Sequence, residues 1–356
     1  MLDVVTRIID YKKVDIVHVT MRCGMEEDMF LALFGAVESG AIYAIMALGV
    51  YISFRVLDFP DLTVDGSFVT GAAVAGVSII GGVSPFVATI FGALAGFLAG
   101  CITGILHTKG KINALLSGIL MMIALYSINL RIMQSPQVSL LNETTIKTQI
   151  TSGWEKLGID NMLNNLLTMV GLERVPSTWG IVIVMLIVIF VIKFLADYFL
   201  KTEVGLALRA TGDNQRMIRS FSANTDTLII FGIGISNGLV ALSGALIAQH
   251  GGFADVGMGI GMIVIGLASV IIGEALFGVK TVARATLAVI LGAIVYRIVV
   301  TLALRVEFLD TGDMKLITAM LVIVALVAPR VLQARRERQR RLRKRAELQE
   351  GGGHHA

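Results

Sequence analysis

The stretch PFVATIFGALAGFLAGCITGIL, residues 85–106, decides the fold class of this chain. It contains no charged side chain and is long enough to cross the apolar core of a bilayer, which takes about 20 residues at 1.5 Å rise per residue. Glycine recurs at every fourth position, at Gly92, Gly96, Gly100 and Gly104, and leaves one helix face bare. We expect another helix to pack closely on that face, either within the chain or as the seam of a dimer.

The composition of the whole chain is also that of a membrane protein. Of its 356 residues, 55% are hydrophobic and only 16% are charged, and the mean hydropathy is +0.80. Soluble domains carry about 25% charged residues. The composition therefore excludes a cytosolic enzyme with a conventional core. Two cysteines, Cys23 and Cys101, are too few for a disulfide framework.

Apolar stretches of similar length recur along the chain. We predict an all-α, polytopic transmembrane helical bundle of about nine spans, in which the second, seventh and ninth are short enough to be broken or re-entrant helices. The predicted spans cover residues 29–54, 66–82, 85–106, 112–133, 179–200, 228–249, 261–277, 283–304 and 316–327.

Basic residues in the short loops predict the orientation of the bundle. Lysines and arginines follow the third, fifth and seventh spans, and a fourth basic group follows the ninth. If nine spans alternate in direction, all four groups lie on one side. That side is expected to be the cytoplasm, which places the C-terminus inside the cell.

The spans divide the chain into three parts. Residues 29–328 form a transmembrane domain with an outer loop at 134–178, where we expect interfacial helices, and a cytoplasmic segment at 201–227. Residues 1–28 are expected to be an extracytoplasmic extension or the product of a mis-chosen start codon. Residues 329–356 form a cytoplasmic tail with nine of the 30 lysines and arginines. Beside a membrane helix, such a block indicates contact with anionic lipid rather than with nucleic acid.

The cytoplasmic segment includes EVGLALRATGDNQRMIRSFSANTDT, which begins at Glu203 and is basic and amphipathic. The pattern predicts a helix that buries its apolar side chains while its arginines face water. Such a helix needs a cytoplasmic partner or lies among lipid headgroups. The side chains expected to be buried are Leu206, Leu208, Met217, Ile218 and Phe221, and those expected to face water are Arg209, Arg216 and Arg219.

Charged side chains inside apolar spans are costly and therefore mark candidate functional positions. Glu38, Glu274 and Arg297 are the main ones, and Glu274 is near the inner end of its span. Depth along the helices favours an ion pair between Glu38 and Arg297. That pair either fixes the helix register or contacts a substrate.

The chain contains no recognisable site for nucleotide or metal chemistry. GEALFGVKT at residues 273–281 has one residue too many between glycine and lysine for the phosphate-binding pattern G-x-x-x-x-G-K-[ST], and it ends an apolar helix instead of following a strand. No His, Cys or carboxylate cluster recurs at ligand spacing within the spans. We expect no catalytic residue, no metal and no cofactor bound by this chain.

The cytoplasmic segment and three longer strings carry a resemblance to a known family. The segment looks like the coupling helix of ATP-binding-cassette importer permeases of the branched-chain amino acid and ribose type. The longer strings resemble the tryptophan/tyrosine-type subgroup of that family, and the similarity covers about residues 31–330. The strings are FRVLDFPDLTVDGSF from Phe54, LLSGILMMIALYSINLRIM from Leu115 and SNGLVALSGALIAQHGGFADVGMGIGMIVIGLASVIIGEALFG from Ser236.

This resemblance implies a permease subunit that has no ATPase site of its own and moves a small organic solute, an aromatic or other amino acid, inward across a bacterial plasma membrane. It implies a second permease copy, cytoplasmic ATPase subunits that bind ATP and Mg, and an extracytoplasmic substrate-binding protein. The implied ATPase-coupling residues are Gly205, Leu208, Arg209, Ala210, Gly212, Asp213 and Asn214.

Polar residues within and beside the spans are candidates for the substrate pathway, because irregular or polar helix segments at depth are tolerated where they are buried or wet. Each of them could instead cap a helix or bond two helices together. An alternative function is a secondary transporter driven by an ion gradient, but neither midplane carboxylates for an ion nor an inverted repeat is evident. The pathway candidates are Asp61, Asp65, Asn113, Ser117, Asn129 and Asn237.

Overall fold

The structure is a computed structural model that describes residues 29–169, 175–176, 178–220, 224–304, 316, 319–320 and 323. The predicted N-terminal extension, the predicted ninth span apart from isolated residues, and the basic tail lie outside the described residues.

Within the described part, eight helices are long and apolar enough to cross a membrane. They correspond in order to the first eight predicted spans, which confirms the all-α polytopic bundle. Three further helices lie between spans. The helices are α1 Met29–Val56, α2 Thr63–Ile80, α3 Pro85–Thr108, α4 Ala114–Met133, α5 Ile146–Leu157, α6 Ile159–Met169, α7 Gly180–Lys201, α8 Glu203–Ser220, α9 Thr225–Gly251, α10 Met262–Phe277 and α11 Val282–Ala303.

The seventh span is broken at its start. A short helical turn, Val256–Gly259, precedes α10, and Gly261 joins the two with a φ of 88°, in the left-handed region that glycine tolerates best. The carboxylate of Asp65 on α2 accepts hydrogen bonds from the backbone N–H groups of Gly261 (2.9 Å) and Ile263 (2.8 Å). A side chain from another helix thus satisfies donors that the break leaves free.

A two-stranded antiparallel sheet joins the ends of α4 and α9. Strand β1 (Gln137–Ser139) pairs with β2 (Phe253–Asp255), with Val138 opposite Ala254. The sequence analysis missed this sheet because each strand has only three residues. We call this end of the bundle the sheet side, and the end with the basic loops the basic side. Since α4 and α9 both end on the sheet side, the pairing agrees with the alternation of the spans.

The bare glycine face of α3 packs against α2 and α9 of the same chain. A Cβ added at Gly96 would lie 2.2 Å from the Cβ of Ala241, and one added at Gly100 would lie 2.5 Å from the carbonyl oxygen of Ile233. The opposite face of α3 exposes large apolar side chains such as Phe86 and Leu98. The glycine face therefore serves internal packing, which decides between the two alternatives left by the sequence.

We predict that Gly71→Ala on α2 destabilises the protein. The new methyl would lie 1.9 Å from the carbonyl oxygen of Ala241 on α9, so the two helix backbones must separate. Overpacking of this kind costs about 1–3 kcal/mol. Thermal unfolding of the detergent-purified protein measures the effect.

The matched control is Gly35→Ala in α1, where no atom lies within 4 Å of the added methyl. That variant should unfold at or slightly above the temperature of the unmodified protein. Equal melting temperatures for the two variants would contradict the close approach of α2 and α9.

Candidate functional site

Helix α8 connects α7 and α9 on the basic side and consists of two helical parts. Asn214 has non-helical torsion angles, φ −153° and ψ 89°, which divide the parts. The side-chain oxygen of Asn214 accepts a hydrogen bond from the backbone N–H of Met217 at 3.1 Å. Asn214 therefore caps the second part, a role for which asparagine is well suited.

One face of α8 is fixed to the ends of the spanning helices by small residues. A Cβ added at Gly205 would lie 2.1 Å from the carbonyl oxygen of Phe199, and one added at Gly212 would lie 2.1 Å from that of Val56. Between them, Leu208 is fully buried in the cluster that contains Leu57 and Ile233. Of the predicted coupling residues, Gly205 and Leu208 therefore face the bundle in this structure.

The other face of α8 is open to solvent. Leu206 is 52% exposed and Met217 is 45% exposed, although the sequence analysis expected both to be buried. Leu206 and Met217 do not pack on the bundle, because the close approach at the glycines turns Leu208 and Thr211 toward it, and the interruption at Asn214 changes the face that follows. Ile218 is buried as expected, and Phe221 lies outside the described residues. The exposed residues of α8 include Leu206, Arg209, Asp213, Asn214, Arg216 and Met217.

A polar cavity of about 670 Å³ lies between the exposed face of α8 and the basic-side end of α1. The end of α1 is a π-helical turn, Ile52–Val56, and Asp58 beyond it has a φ of 51°. Such turns are rare and often occur at functional positions. The cavity is lined by Tyr51, Phe54, Arg55, Val56, Asp58, Leu206, Arg209, Ala210, Gly212 and Asp213.

Arg55 extends this site to α10. Its guanidinium forms an ion pair with Glu274, and both side chains, with Arg209, line a second cavity of about 330 Å³. Glu274 is one of the charged side chains that the sequence marks within the spans. Its partner Arg55 is not among them, because the first predicted span, 29–54, ends just before it.

Arg219 fixes the far end of α8. It donates hydrogen bonds to the hydroxyl of Thr225 (2.9 Å) and to the carboxylate of Asp226 (3.2 Å) at the start of α9. With the glycine contacts, this holds α8 at both ends. These contacts attach α8 to α1, α7 and α9.

The predicted pathway residues Asp61 and Asn237 bond to each other between helices. Asp61 is fully buried, and it accepts hydrogen bonds from the Asn237 amide at 2.6 Å and from the backbone N–H of Thr63 at 2.9 Å. Burial raises the pKa of the Asp61 carboxyl, because desolvation disfavours its charged form. In this conformation the pair ties the start of α2 to α9.

The other predicted pathway residues also cap or link helices. Asp65 caps α10 as described above, and Asn113 caps α4 by accepting a bond from Leu115 N–H. The amide of Asn129 donates to the carbonyl of Gly66 at 3.3 Å, while the hydroxyl of Ser117 donates within its own helix. The structure does not bring the six candidates together at one surface.

The predicted ion pair between Glu38 and Arg297 is not formed. Arg297 donates from Nε to the hydroxyl of Ser39 at 3.3 Å, and its guanidinium lies 4.6 Å from the centre of the Tyr43 ring. Glu38 faces α9 instead, where its Oε1 lies 3.4 Å from Nδ1 of His250. The reason is rotational: Ser39 and Tyr43 lie on the face of α1 toward α11, and Glu38 lies on the face toward α9.

The sequence matches a described family over most of its length. Residues 32–327 match the family described as "Branched-chain amino acid transport system / permease component". A "Tyrosine transport system permease protein" of Clostridioides difficile (strain R20291) is 42% identical over 294 residues, which cover 83% of this chain and 90% of that protein. An uncharacterized protein of Rickettsia prowazekii (strain Madrid E) is 34% identical over 298 residues, which cover 83% and 96%. No solved structure matches the chain significantly.

We predict that Asp61→Ala and Asn237→Ala are coupled. Each single change leaves a buried partner unsatisfied and should cost about 1–3 kcal/mol of stability. The double variant should cost less than the sum, with a coupling energy of about 0.5–3 kcal/mol. Thermal unfolding in detergent measures all three. Strictly additive effects would contradict the buried bond.

Proposed function

The chain belongs to the family of branched-chain amino acid transport permeases, and we propose that it is the membrane-spanning subunit of an ATP-binding-cassette importer for a small organic solute, an aromatic or other amino acid. The energy comes from a separate ATPase that binds ATP and Mg. The relative from Clostridioides difficile is described as a tyrosine transport permease. Tyrosine or a similar aromatic amino acid is therefore the first substrate to test.

In this proposal the basic side faces the cytoplasm of a bacterial cell. Lysines and arginines near span ends favour that side, and Lys109, Lys201 and Lys280 all lie there. The ATPase docks on the basic side, and the basic tail at 329–356 lies on the same side near anionic lipid. A substrate-binding protein delivers the amino acid to the sheet side, and a second copy of the permease completes the complex.

The observation that carries the proposal is the exposed face of α8. Leu206 and Met217 are large apolar side chains that protrude on the basic side, next to the exposed Arg209, Asp213 and Arg216. Apolar residues bordered by charges are typical of protein interfaces. Because the opposite face of α8 is fixed to the bundle, the exposed face is a rigid surface for a partner.

The contacts of α8 also provide a route for coupling. Gly212 contacts the end of α1 at Val56, and the π-helical turn at that point carries Arg55, which pairs with Glu274 on α10. ATP-driven movement of the docked subunits would displace α8 and, through these contacts, the basic-side ends of α1 and α10. Such a displacement favours one of two bundle conformations.

The proposed function is tested by isolating the protein from its native membrane in detergent and assaying the eluate for ATP hydrolysis. A stoichiometric ATPase that tyrosine and a co-purified binding protein stimulate would support the importer. A permease that lacks an ATPase, and that moves tyrosine in liposomes only under an ion gradient, would overturn it in favour of secondary transport.

We predict that Arg209→Ala lowers recovery of the ATPase by roughly tenfold, the usual effect of removing an interface arginine that contributes strongly. Arg209 is exposed, so the permease should remain folded. Adding Asn214→Ala should abolish recovery. Co-purification, with melting temperature as the check on folding, measures both.

The matched control is Lys156→Ala, an exposed cation on α5 at the sheet side. It should leave ATPase recovery unchanged. If Arg209→Ala behaves like this control, Arg209 does not belong to the interface.

We predict that Gly212→Ala uncouples ATP hydrolysis from transport. The added methyl would lie 2.1 Å from the carbonyl oxygen of Val56 and must move α8 away from α1. Uptake per ATP hydrolysed should fall roughly tenfold, since overpacking costs about 1–3 kcal/mol. Proteoliposome uptake and ATP hydrolysis are measured on the same preparation.

Gly153→Ala is the control, because no atom lies within 4 Å of its added methyl. Unchanged uptake per ATP in Gly212→Ala would show that the contact with α1 does not transmit the movement.

A further inference from the structure

Glu38 and Arg297 do not pair with each other, whereas other charged side chains inside the bundle do form ion pairs. Lys193 pairs with Asp197, and Arg55 pairs with Glu274. Arg297 contacts a hydroxyl and an aromatic ring but, among the described residues, no carboxylate. A charge at membrane depth is costly, so one that contacts no carboxylate within the described part of the chain is a candidate for ligand binding.

On the neighbouring face of α1, a carboxylate oxygen and a ring nitrogen lie side by side without a hydrogen bond among the described residues. Oε1 of Glu38 and Nδ1 of His250 are 3.4 Å apart, and both atoms are buried without a hydrogen bond in the described structure. With the ring proton on Nε2, Nδ1 is an acceptor. An ammonium group has three N–H donors and would satisfy both atoms at once.

Arg297 lies near enough to His250 for their electrostatic interaction to matter, and there is free space on α1 beside Gly35. Gly35 lies one turn toward the sheet side from Glu38 and Ser39, and no atom lies within 4 Å of the position that a Cβ would occupy. On the sheet side of the cluster, Lys147 of α5 donates to the carbonyl of His250 at 3.2 Å. The positive charge of Lys147 also attracts the Glu38 carboxylate at longer range. The Lys147 side chain itself is exposed to solvent.

From these contacts we propose that Glu38 and Arg297 bind the two charged ends of an amino acid zwitterion on its passage through the permease. The guanidinium of Arg297 binds the α-carboxylate, and Glu38, with Nδ1 of His250, binds the α-ammonium. Tyr43 holds the guanidinium in place from beneath, and Ser39 orients it. This assignment deepens the proposed function, because it names the chemistry by which the membrane subunit itself recognises its substrate.

The test measures binding of radiolabelled L-tyrosine to the purified permease–ATPase complex without a binding protein. Unlabelled L-tyrosine, tyramine, which lacks the carboxylate, and 4-hydroxyphenylpropionate, which lacks the ammonium, serve as competitors. The unmodified complex should prefer L-tyrosine over either of the others by roughly ten- to a hundredfold, the range of a lost charge-assisted hydrogen bond.

Each variant should lose one of these preferences. Glu38→Gln should bind L-tyrosine and 4-hydroxyphenylpropionate almost equally, and Arg297→Gln should do the same for L-tyrosine and tyramine. Arg131→Gln, at the sheet-side end of α4 and exposed, should keep both preferences. A purely structural role would change all three affinities together, so variants that keep the unmodified ratios, or an unmodified complex that binds no L-tyrosine, would overturn the proposal.

The same variants separate this proposal from the importer function. If the unmodified complex shows no ATP-driven uptake but still binds L-tyrosine with the predicted preferences, the importer function fails and the site stands. If uptake is ATP-driven and Glu38→Gln and Arg297→Gln support it at the unmodified rate, the importer function stands and the site fails.

Discussion

The close approach of helix backbones at glycine is the constraint on which the rest of this structure depends. In lipid, apolar surfaces gain little by leaving the solvent, so helices associate where their backbones can come into contact. Gly71 on α2 and Gly96 and Gly100 on α3 bring those helices against α9. That contact places Asp61 and Asn237 within hydrogen-bond distance and thereby fixes the start of α2. The buried polar bonds are a consequence of the glycine packing.

Helix α8, outside the spanning region, is attached by the same kind of glycine contact. Gly205 and Gly212 hold α8 against the ends of α7 and α1 as tightly as the spanning glycines hold α3. A helix attached by backbone contact has little freedom to slide. Glycine on one face and exposed Arg209 and Leu206 on the other thus make α8 a rigid connection rather than a flexible linker. In an importer, such a connection would transmit the movement of an ATPase without absorbing it.

Much of this architecture can be predicted from the sequence, and the features that cannot be predicted share a physical cause. Hydropathy identified eight of the described helices, and charge in the loops indicated their alternation, because both depend on position along the chain. Depth alone also suggested that Glu38 and Arg297 would pair. The rotation of each helix decided otherwise, since Ser39 faces α11 and Glu38 faces α9. Rotation is set by contacts such as Gly40 against Ile294, which depend on the neighbouring helix and not on local periodicity.

The two ends of α1 differ in how their charges are satisfied. On the basic side, Arg55 and Glu274 satisfy each other and join α1 to α10. On the sheet side, Arg297 contacts no carboxylate among the described residues, and Glu38 lies beside the His250 ring and at longer range from the exposed Lys147. Pairing at one end stabilises this conformation, whereas in our proposal the charges at the other end are available to a ligand that carries both signs. Such a ligand would shift the equilibrium between two openings of the permease only by binding one state better than the other.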